Sequence, residues 1–138
     1  MINIYSITAA STLLNRKDIL VLEVWARVIF VKFANGQGRF VSKNLFWIEF
    51  HRSRKERAKD LTVGYYDRDL YQVSSQSQID PYFVSLGDDI QCECADFANQ
   101  VKAKFRYPIC KHAWALLNHL NFNSLSAYIQ SNQEIKAA

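Results

Sequence analysis

Residues 90–120 read IQCECADFANQVKAKFRYPICKHAWALLNHL and decide the fold of this chain. Two residue pairs of the same form, CxC and CxH, are separated here by fifteen residues and include every cysteine of the sequence. Thiolate and imidazole are ligands that zinc prefers, and a closed set of three cysteines and one histidine is typical of a structural site. The pattern therefore predicts one structural Zn²⁺ held by Cys92, Cys94, Cys110 and His112.

Other interpretations of these residues stay open at the level of sequence. The cysteines could be buried free thiols, since a free cysteine often packs as a small apolar residue. His119 could supply the fourth ligand instead of His112, because seven positions later it lies on roughly the same helical face. A disulfide between Cys92 and Cys94 is disfavoured, because cysteines one residue apart would form a badly strained bridge. His51, beside a basic run, is interpreted as a surface residue.

Strand and helix patterns flank the two pairs. The segments DLYQVSSQSQ and PYFVSLGDD predict two strands, joined by a polar, linker-like turn over residues 74–80. A short extended segment, IQCEC, follows, and Asp96 could cap a turn after it. The segment CKHAWALLNHL has apolar residues at helical spacing, which predicts a helix with His112 on its first turn. A last helix is predicted over residues 124–135.

The N-terminal half of the chain is apolar and aromatic. Residues 19–33 read ILVLEVWARVIFVKF, ANGQG follows, and RFVSKNLFWIEF then resumes the apolar pattern. This arrangement predicts a β-hairpin with a turn near residues 35–38. A buried helix over residues 16–33 is the alternative, because periodicity does not separate strand from helix in so apolar a run.

A basic helix is predicted after the hairpin. Helix formers run from about Arg52 to Tyr65, and Ala58, Leu61 and Tyr65 recur at spacings of three and four, so that one face could dock on a core. Together the elements predict an α+β fold in a single domain: an N-terminal antiparallel β-hairpin layer, the basic helix, then a β-β-zinc-α unit with C-terminal helices. The predicted parts of this domain are residues 1–66, 70–120 and 121–138.

The stretch LYQVSSQSQ...YFVSL...CECADF...CKHAWALL resembles a SWIM zinc finger over about residues 70–120. That family has a two-strand unit with a "V.S.S" element, then CxC, a variable spacer, CxH and a helix. The resemblance implies that the CxC and CxH residues are zinc ligands and that Asp96 and Phe97 match the family's turn and packing positions. The spacer is long for a bacterial member. Ala95 stands where a proline is common, which should loosen the turn and leave the ligands intact.

The distribution of charge favours a polyanionic partner on particular faces. The net charge is +4, which permits such a partner, and an acidic stretch from Asp67 to Asp96 separates two basic segments. The alternative is that these segments are solvated faces. Phe105 and Tyr107 interleave with the second segment, which could neutralise phosphates and stack a base. The residues predicted to bind nucleic acid are Arg52, Arg54, Lys55, Arg57, Lys59, Lys102, Lys104, Arg106 and Lys111.

The family resemblance implies DNA binding or protein–protein interaction, and SWIM members are found beside helicases, transposases and recombination factors. The sequence accordingly predicts a zinc-stabilised module that binds DNA as an accessory factor. The alternative is an adaptor that docks on another protein or forms a homodimer, since exposed aromatic patches favour partners. The aromatic residues that support this alternative are Trp25, Phe30, Phe33, Phe40, Phe46, Trp47 and Phe50.

Catalysis is not expected. The sequence contains no Gly-rich phosphate loop, GxSxG or HExxH motif, and four protein ligands leave zinc no open position for water. Asp67, Asp69, Asp88 and Asp89 could bind a hard cation, but aspartate is expected in turns anyway. Neither a signal peptide nor a membrane span is expected from the apolar pattern, so no membrane partner is predicted and a cytoplasmic location follows by default.

Overall fold

The computed structural model describes residues 3–75 and 80–137, with side chains up to residue 135. Within them the fold is α+β, as predicted, with two antiparallel sheets. Contacts divide the chain into two units, residues 2–53 and residues 54–138; the division into one domain with three parts stays a prediction. The elements are α1 (Ile7–Leu14), β1 (Ile19–Val24), β2 (Val28–Phe33), β3 (Gly38–Ser42), α2 (Lys43–Ala58), β4 (Thr62–Asp67), β5 (Leu70–Ser74), β6 (Tyr82–Leu86), β7 (Ile90–Cys92), α3 (Ala95–Lys102), α4 (Lys111–His119) and α5 (Leu125–Ala137).

The N-terminal unit is a three-stranded antiparallel sheet in the order β1-β2-β3, with α1 packed on β1. Ser6 caps α1, because its hydroxyl accepts a hydrogen bond from the amide of Ala9 at 3.1 Å. Alternate residues of β2 point to one face of the sheet and are buried there. The buried core of this unit is wholly apolar: Ala10, Ile19, Ile29, Val31, Phe33, Val41 and Phe46.

The predicted turn of the hairpin is present, but the region contains a second turn that was not predicted. A turn joins β2 to β3 where it was expected, and Gly36 supplies the left-handed conformation there with φ +86°. A second turn divides the apolar run 19–33 into β1 and β2, closed by a hydrogen bond from the amide of Trp25 to the carbonyl of Val28 at 3.0 Å. This turn has no glycine, proline or asparagine to reveal it. The alternative of a helix over residues 16–33 is wrong.

The basic helix begins nine residues earlier than predicted and ends before Tyr65. Helix α2 covers Lys43–Ala58 rather than Arg52 to Tyr65. Its start was mistaken for strand because FWIEF is apolar, yet Phe46 and Phe50, four residues apart, are both buried as on one helical face. After Ala58 the β-branched and aromatic residues of TVGYYD favour β4, which leaves Tyr65 66% exposed on a strand. Helix α2 begins in the N-terminal unit and ends in the C-terminal unit.

The C-terminal unit is a four-stranded antiparallel sheet in the order β4-β5-β6-β7, and α4 packs across all four strands. The predicted strands correspond to β5 and β6, and the predicted helix after Cys110 is α4. Residues 76–79 of the predicted polar turn lie outside the described residues. The core of this unit combines apolar residues, such as Val73, Val84 and Leu116, with all three cysteines.

The last helix, α5, is tied to the turn between β6 and β7. The Tyr128 hydroxyl donates a hydrogen bond to the carbonyl of Gly87 at 2.7 Å, and the Asn132 side-chain amide donates to the same oxygen at 3.0 Å. Burial of the phenol raises the pKa of Tyr128, which is consistent with its role as a donor. The helix predicted over residues 124–135 is therefore present, and its Leu125 and Tyr128 belong to the core of this unit. None of the helices in residues 3–75 and 80–137 is long and apolar enough to cross a membrane.

Candidate metal centre

The four predicted ligands come together in the C-terminal unit. Cys92 ends β7, Cys94 and Cys110 are the residues immediately before α3 and α4, and His112 lies on the first turn of α4. One donor atom from each residue lies within 4.8 Å of the others, and all four residues are buried. Strand β7 and the starts of two helices therefore deliver three sulfurs and one ring nitrogen to a single point.

The orientation of the His112 ring shows which of its two nitrogens would bind the metal. The Nδ1 atom lies 3.8 Å from the sulfur of Cys92 and 3.8 Å from the sulfur of Cys110, whereas buried Nε2 has no hydrogen-bond partner within the described residues. The ring packs against Tyr82, with centroids 4.6 Å apart. The rival ligand His119 is exposed on the last turn of α4, with its ring beside Tyr71. The cluster therefore contains His112 and not His119.

The sulfurs of Cys94 and Cys110 also cap the N-termini of α3 and α4. The amide of Phe97 donates a hydrogen bond to the Cys94 sulfur at 3.4 Å, and the amide of Ala113 donates to the Cys110 sulfur at 3.4 Å. A thiolate in this position satisfies an otherwise unpaired amide and lies at the positive end of the helix dipole. Helices α3 and α4 therefore both stabilise the ionised sulfur that a metal requires.

Three thiols this close do not ionise independently. Hydrogen bonds from Cys110 and then from Cys92 hold the pKa of Cys94 far below its ordinary value. The interactions of Cys110 with Cys92 and Cys94, followed by burial, raise the pKa of Cys110. For Cys92, the hydrogen bond with Cys110 lowers the pKa, but the bond with Cys94 and burial outweigh it and raise the pKa to about 12. Burial and mutual contact therefore oppose full ionisation of the three thiols, and a bound Zn²⁺ would displace their remaining protons.

A buried glutamine supports the ligands, and sequence reasoning missed it. Gln100 is fully buried in α3; its amide nitrogen donates to the carbonyl of Ile109 at 2.9 Å, and its carbonyl accepts from the amide of Ile109 at 2.8 Å. It also donates to Asp96, which binds Arg54 through two hydrogen bonds of 2.8 and 2.9 Å. This network fixes the residue that precedes the ligand Cys110. The spacing of Asp96 and Gln100, four residues apart on a helix, was its only signal.

A cleft of about 510 Å³ opens beside the cluster. Its lining includes two of the ligand cysteines, His112 and Tyr82, together with three basic residues that the sequence predicted to bind nucleic acid. We name this feature the cationic cleft, after its basic residues Arg54, Arg57 and Lys111. The structure therefore brings part of the first basic segment and part of the second to one place.

The other basic residues of the second segment lie outside the lining of this cleft. Lys102 ends α3, and Lys104 and Arg106 lie in the loop that follows; all three are exposed. The Arg106 guanidinium lies 5.2 Å from the centroid of the exposed Tyr107 ring, whereas Phe105 is half-buried. The loop therefore offers charge and the aromatic ring of Tyr107 to solvent, while base stacking by Phe105 and Tyr107 stays a prediction.

The remaining basic residues of the first segment are engaged in local contacts. Arg52, in the N-terminal unit, pairs with Glu49 at 2.7 Å, and this hydrogen bond lowers the pKa of Glu49. Lys59 pairs with Glu56 at 3.0 Å, and the Lys55 ammonium lies 4.8 Å from the ring centroid of Trp114. Such exposed pairs contribute little to stability. Whether any of these residues contacts nucleic acid stays a prediction.

The segment that contains the four predicted ligands is similar to a known protein family. Residues 82–121 match the family model of the SWIM zinc finger. Neither curated proteins nor solved structures gave a significant match. The matched segment runs from β6 to the end of α4 and includes all four donor residues, which confirms the resemblance drawn from the CxC and CxH pairs. Residues 82–121 therefore form a SWIM zinc finger, and its Cys/His cluster is compatible with one structural zinc ion.

Proposed function

We propose that this chain is a zinc-stabilised module that binds nucleic acid, and DNA in particular, as an accessory factor. The observation that carries the proposal is the cationic cleft beside the metal cluster. Phosphate groups supply most of the affinity of proteins for nucleic acid, and arginine and lysine are the residues that neutralise them. A cleft that collects three such residues from two distant segments of the chain is suited to hold a phosphate backbone.

The charges around the cleft leave an excess of positive charge. Zn²⁺ bound by three thiolates and a neutral imidazole has a formal charge of minus one, and Asp96 adds a second negative group. Arg54, Arg57 and Lys111 outnumber these two groups. Arg54 is held in place by Asp96, and its side chain is only 14% exposed. Arg57 is exposed and Lys111 is half-buried in the lining of the cleft, so we assign direct phosphate contact to these two residues.

The exposed residues Lys102, Lys104 and Arg106 extend this basic surface away from the cleft. Lys102 ends α3, and Lys104 and Arg106 lie in the loop that follows it. The start of α3 is fixed by the ligand Cys94, and the loop after α3 is closed by the hydrogen bonds between Gln100 and Ile109. When bound, zinc would cross-link β7 to the starts of α3 and α4 and so hold the basic residues at fixed distances. With four protein ligands the metal would have a structural role, and the proposal includes no catalytic step.

The test compares two double variants of equal charge change. Arg57→Gln with Lys111→Gln removes the cations of the cleft, whereas Lys17→Gln with Arg68→Gln removes two exposed cations elsewhere. Binding of the zinc-loaded protein to labelled duplex and single-stranded DNA is measured by fluorescence anisotropy over a range of salt concentrations. The cleft variant should bind more weakly, and the slope of log affinity against log salt should fall by about two. Zinc content and thermal unfolding should match the wild type in both variants.

A second pair of changes tests the loop. Lys102→Ala with Arg106→Ala should leave zinc content and folding unchanged and weaken binding evenly across DNA sequences, as expected for phosphate contacts. Wild-type protein that binds no DNA even at low salt would contradict the proposal. That result would favour the adaptor alternative, which rests on the aromatic residues of the N-terminal unit and stays a prediction.

A further inference from the structure

The sheet of the N-terminal unit has one covered face and one uncovered face. Ile29, Val31 and Val41 lie on the covered face and are buried. On the opposite face, cross-strand pairing places Phe30 of β2 directly opposite Phe40 of β3. Trp25, at the turn after β1, joins them, with ring centroids 5.0 Å from Phe40 and 5.9 Å from Phe30. We name these three residues the ring cluster.

Two of the three rings are accessible to solvent. Trp25 is 46% exposed and Phe40 is 55% exposed, whereas Phe30 is half-buried between them. The Phe30 ring lies close over the backbone of Gly38, since a Cβ atom at that position would come within 2.6 Å of its edge. Glycine at this strand position therefore leaves room for the Phe30 ring, which contacts both exposed rings.

Cations outnumber acids around the ring cluster. Between residues 21 and 43 the only acid is Glu23, and its carboxylate accepts a hydrogen bond from the Trp25 indole at 3.1 Å. Lys32 lies on the same face as Phe30, two residues further along β2. Lys43 is half-buried and donates a hydrogen bond to the carbonyl of Ala26 at 3.1 Å, and its ammonium lies 5.4 Å from the ring centroid of Tyr5. Arg27 lies in the turn between β1 and β2, close in sequence to Trp25, whereas Arg39 alternates with Phe40 along β3 and so lies on the covered face.

We propose that the ring cluster binds single-stranded nucleic acid, with unpaired bases stacked on Trp25 and Phe40 and with Arg27 and Lys32 at the adjacent phosphates. The inference takes its partner class from the proposed function, but it concerns a different surface in a different unit. Aromatic side chains on a positively charged surface bind single strands, because every base offers a ring face to stack. Bases inside a duplex are already stacked on each other, so the duplex should not use this surface.

The charges decide between nucleic acid and protein as the partner. The buried centre of a protein–protein interface is depleted of charged residues. Beside the three rings, Arg27 and Lys32 supply two cations, and the single acid Glu23 is engaged by the Trp25 indole. This combination complements a polyanion that carries aromatic bases and is poorly suited to the apolar centre of a protein interface.

The test uses three forms of the full-length, zinc-loaded protein. Phe40→Leu combined with Trp25→Ala removes the exposed rings, and Tyr65→Ala combined with Tyr66→Ala removes two exposed rings from β4 as a control. Single-stranded and duplex DNA of the same sequence are titrated at one salt concentration. The ring-cluster variant should lose about tenfold or more in affinity for the single strand. Its affinity for the duplex and the affinities of the control variant should equal those of the wild type.

A second readout does not depend on removing the apolar surface. Single-stranded DNA should quench part of the tryptophan fluorescence of the wild type, because a base stacked on Trp25 contacts the indole. The quenched part should be absent in Trp25→Phe, which retains a ring for stacking and so should keep most of its affinity. Lys32→Gln should lower the salt slope of single-strand binding by about one.

Each other outcome has a separate meaning. Wild-type protein that binds duplex and single strand, with equal affinities for the ring-cluster variant, would overturn this inference and leave the proposed function intact. Wild-type protein that binds neither form of DNA would overturn both. A wild type that dimerises, together with a monomeric ring-cluster variant, would overturn this inference by showing that the rings form an interface between two copies of the chain.

Discussion

The two units of this chain have cores of different chemical kinds. The core of the N-terminal unit is formed by apolar side chains alone, such as Ile29, Val31 and Phe46. The core of the C-terminal unit includes three cysteines, and two polar side chains, His112 and Gln100, are also buried in this unit. Burial of apolar surface stabilises a core without any cofactor. Buried thiols and a buried imidazole lose their contacts with water, and a bound metal would offset that cost by coordinating them.

The two units therefore obtain their stability from different sources. The N-terminal unit follows from an alternating strand pattern, and any well-packed set of apolar residues could replace its core. The C-terminal unit depends on the position of four donor atoms, which in turn depends on helix starts and on one buried glutamine. We therefore expect metal to control one unit and apolar packing to control the other.

Removal of zinc should have the largest effect and should be confined to the C-terminal unit. Chelation, or Cys110→Ser, should cost about 10 kcal/mol of folding free energy, since structural zinc sites supply stabilisation of that order. The emission of buried Trp114 should shift to longer wavelength in a chain whose other tryptophans, Trp25 and Trp47, are changed to Phe. Hydrogen exchange at the β2 amides should remain slow in the same sample.

Two results would contradict this difference between the units. Unchanged Trp114 emission in protein shown by mass spectrometry to have lost zinc would mean that the C-terminal unit is stable without metal. Fast exchange at β2 after chelation would mean that the metal also stabilises the N-terminal unit.

An apolar truncation in the N-terminal unit should have the next largest effect. Ile29→Ala, at a fully buried position of β2, should lower the free energy of unfolding of that unit by about 2 to 5 kcal/mol. The control is Ile48→Ala, which removes the same atoms from a side chain that is 56% exposed and should cost much less. Denaturant unfolding and zinc content are measured together. Loss of zinc from Ile29→Ala under native conditions would contradict the independence of the two cores.

Replacement of the buried glutamine should have the smallest of these effects. Gln100→Leu removes both hydrogen bonds to Ile109 and leaves a buried amide and carbonyl unpaired, which should cost about 2 to 4 kcal/mol. It should also weaken zinc binding, because the residue before Cys110 is no longer fixed. Gln91→Leu, at an exposed position of β7, is the matched control. Zinc affinity equal to that of the wild type would show that Gln100 supports the fold without positioning the ligands.

The sequence predicted the elements that have a strong local signal. The CxC and CxH pairs identified the cluster because four donors in that order are rare by chance, and α4 followed from apolar spacing around His112. Strands β5 and β6 followed from β-branched and aromatic residues between turn signals. In each case the pattern and the structure depend on residues close together in the chain.

The errors arose where the decisive contacts are distant or the local signal is weak. The turn at Trp25 lacks the usual turn residues, so β1 and β2 were predicted as one strand of a hairpin. The apolar run around Phe46 fits a strand as well as a helix, and the choice is made by packing on the N-terminal core. Gln100 has the composition of a surface residue, and its partner Ile109 lies across the spacer loop.

The two hydrogen bonds between Gln100 and Ile109 make the positions of the ligands independent of the length of the spacer. They close the segment from Lys102 to Pro108 at its base, so residues added within that segment would project outward without moving Cys94 or Cys110. Insertions and deletions could accumulate in this loop during evolution while the zinc finger is retained. An engineer could place a fluorophore or a peptide epitope there for the same reason.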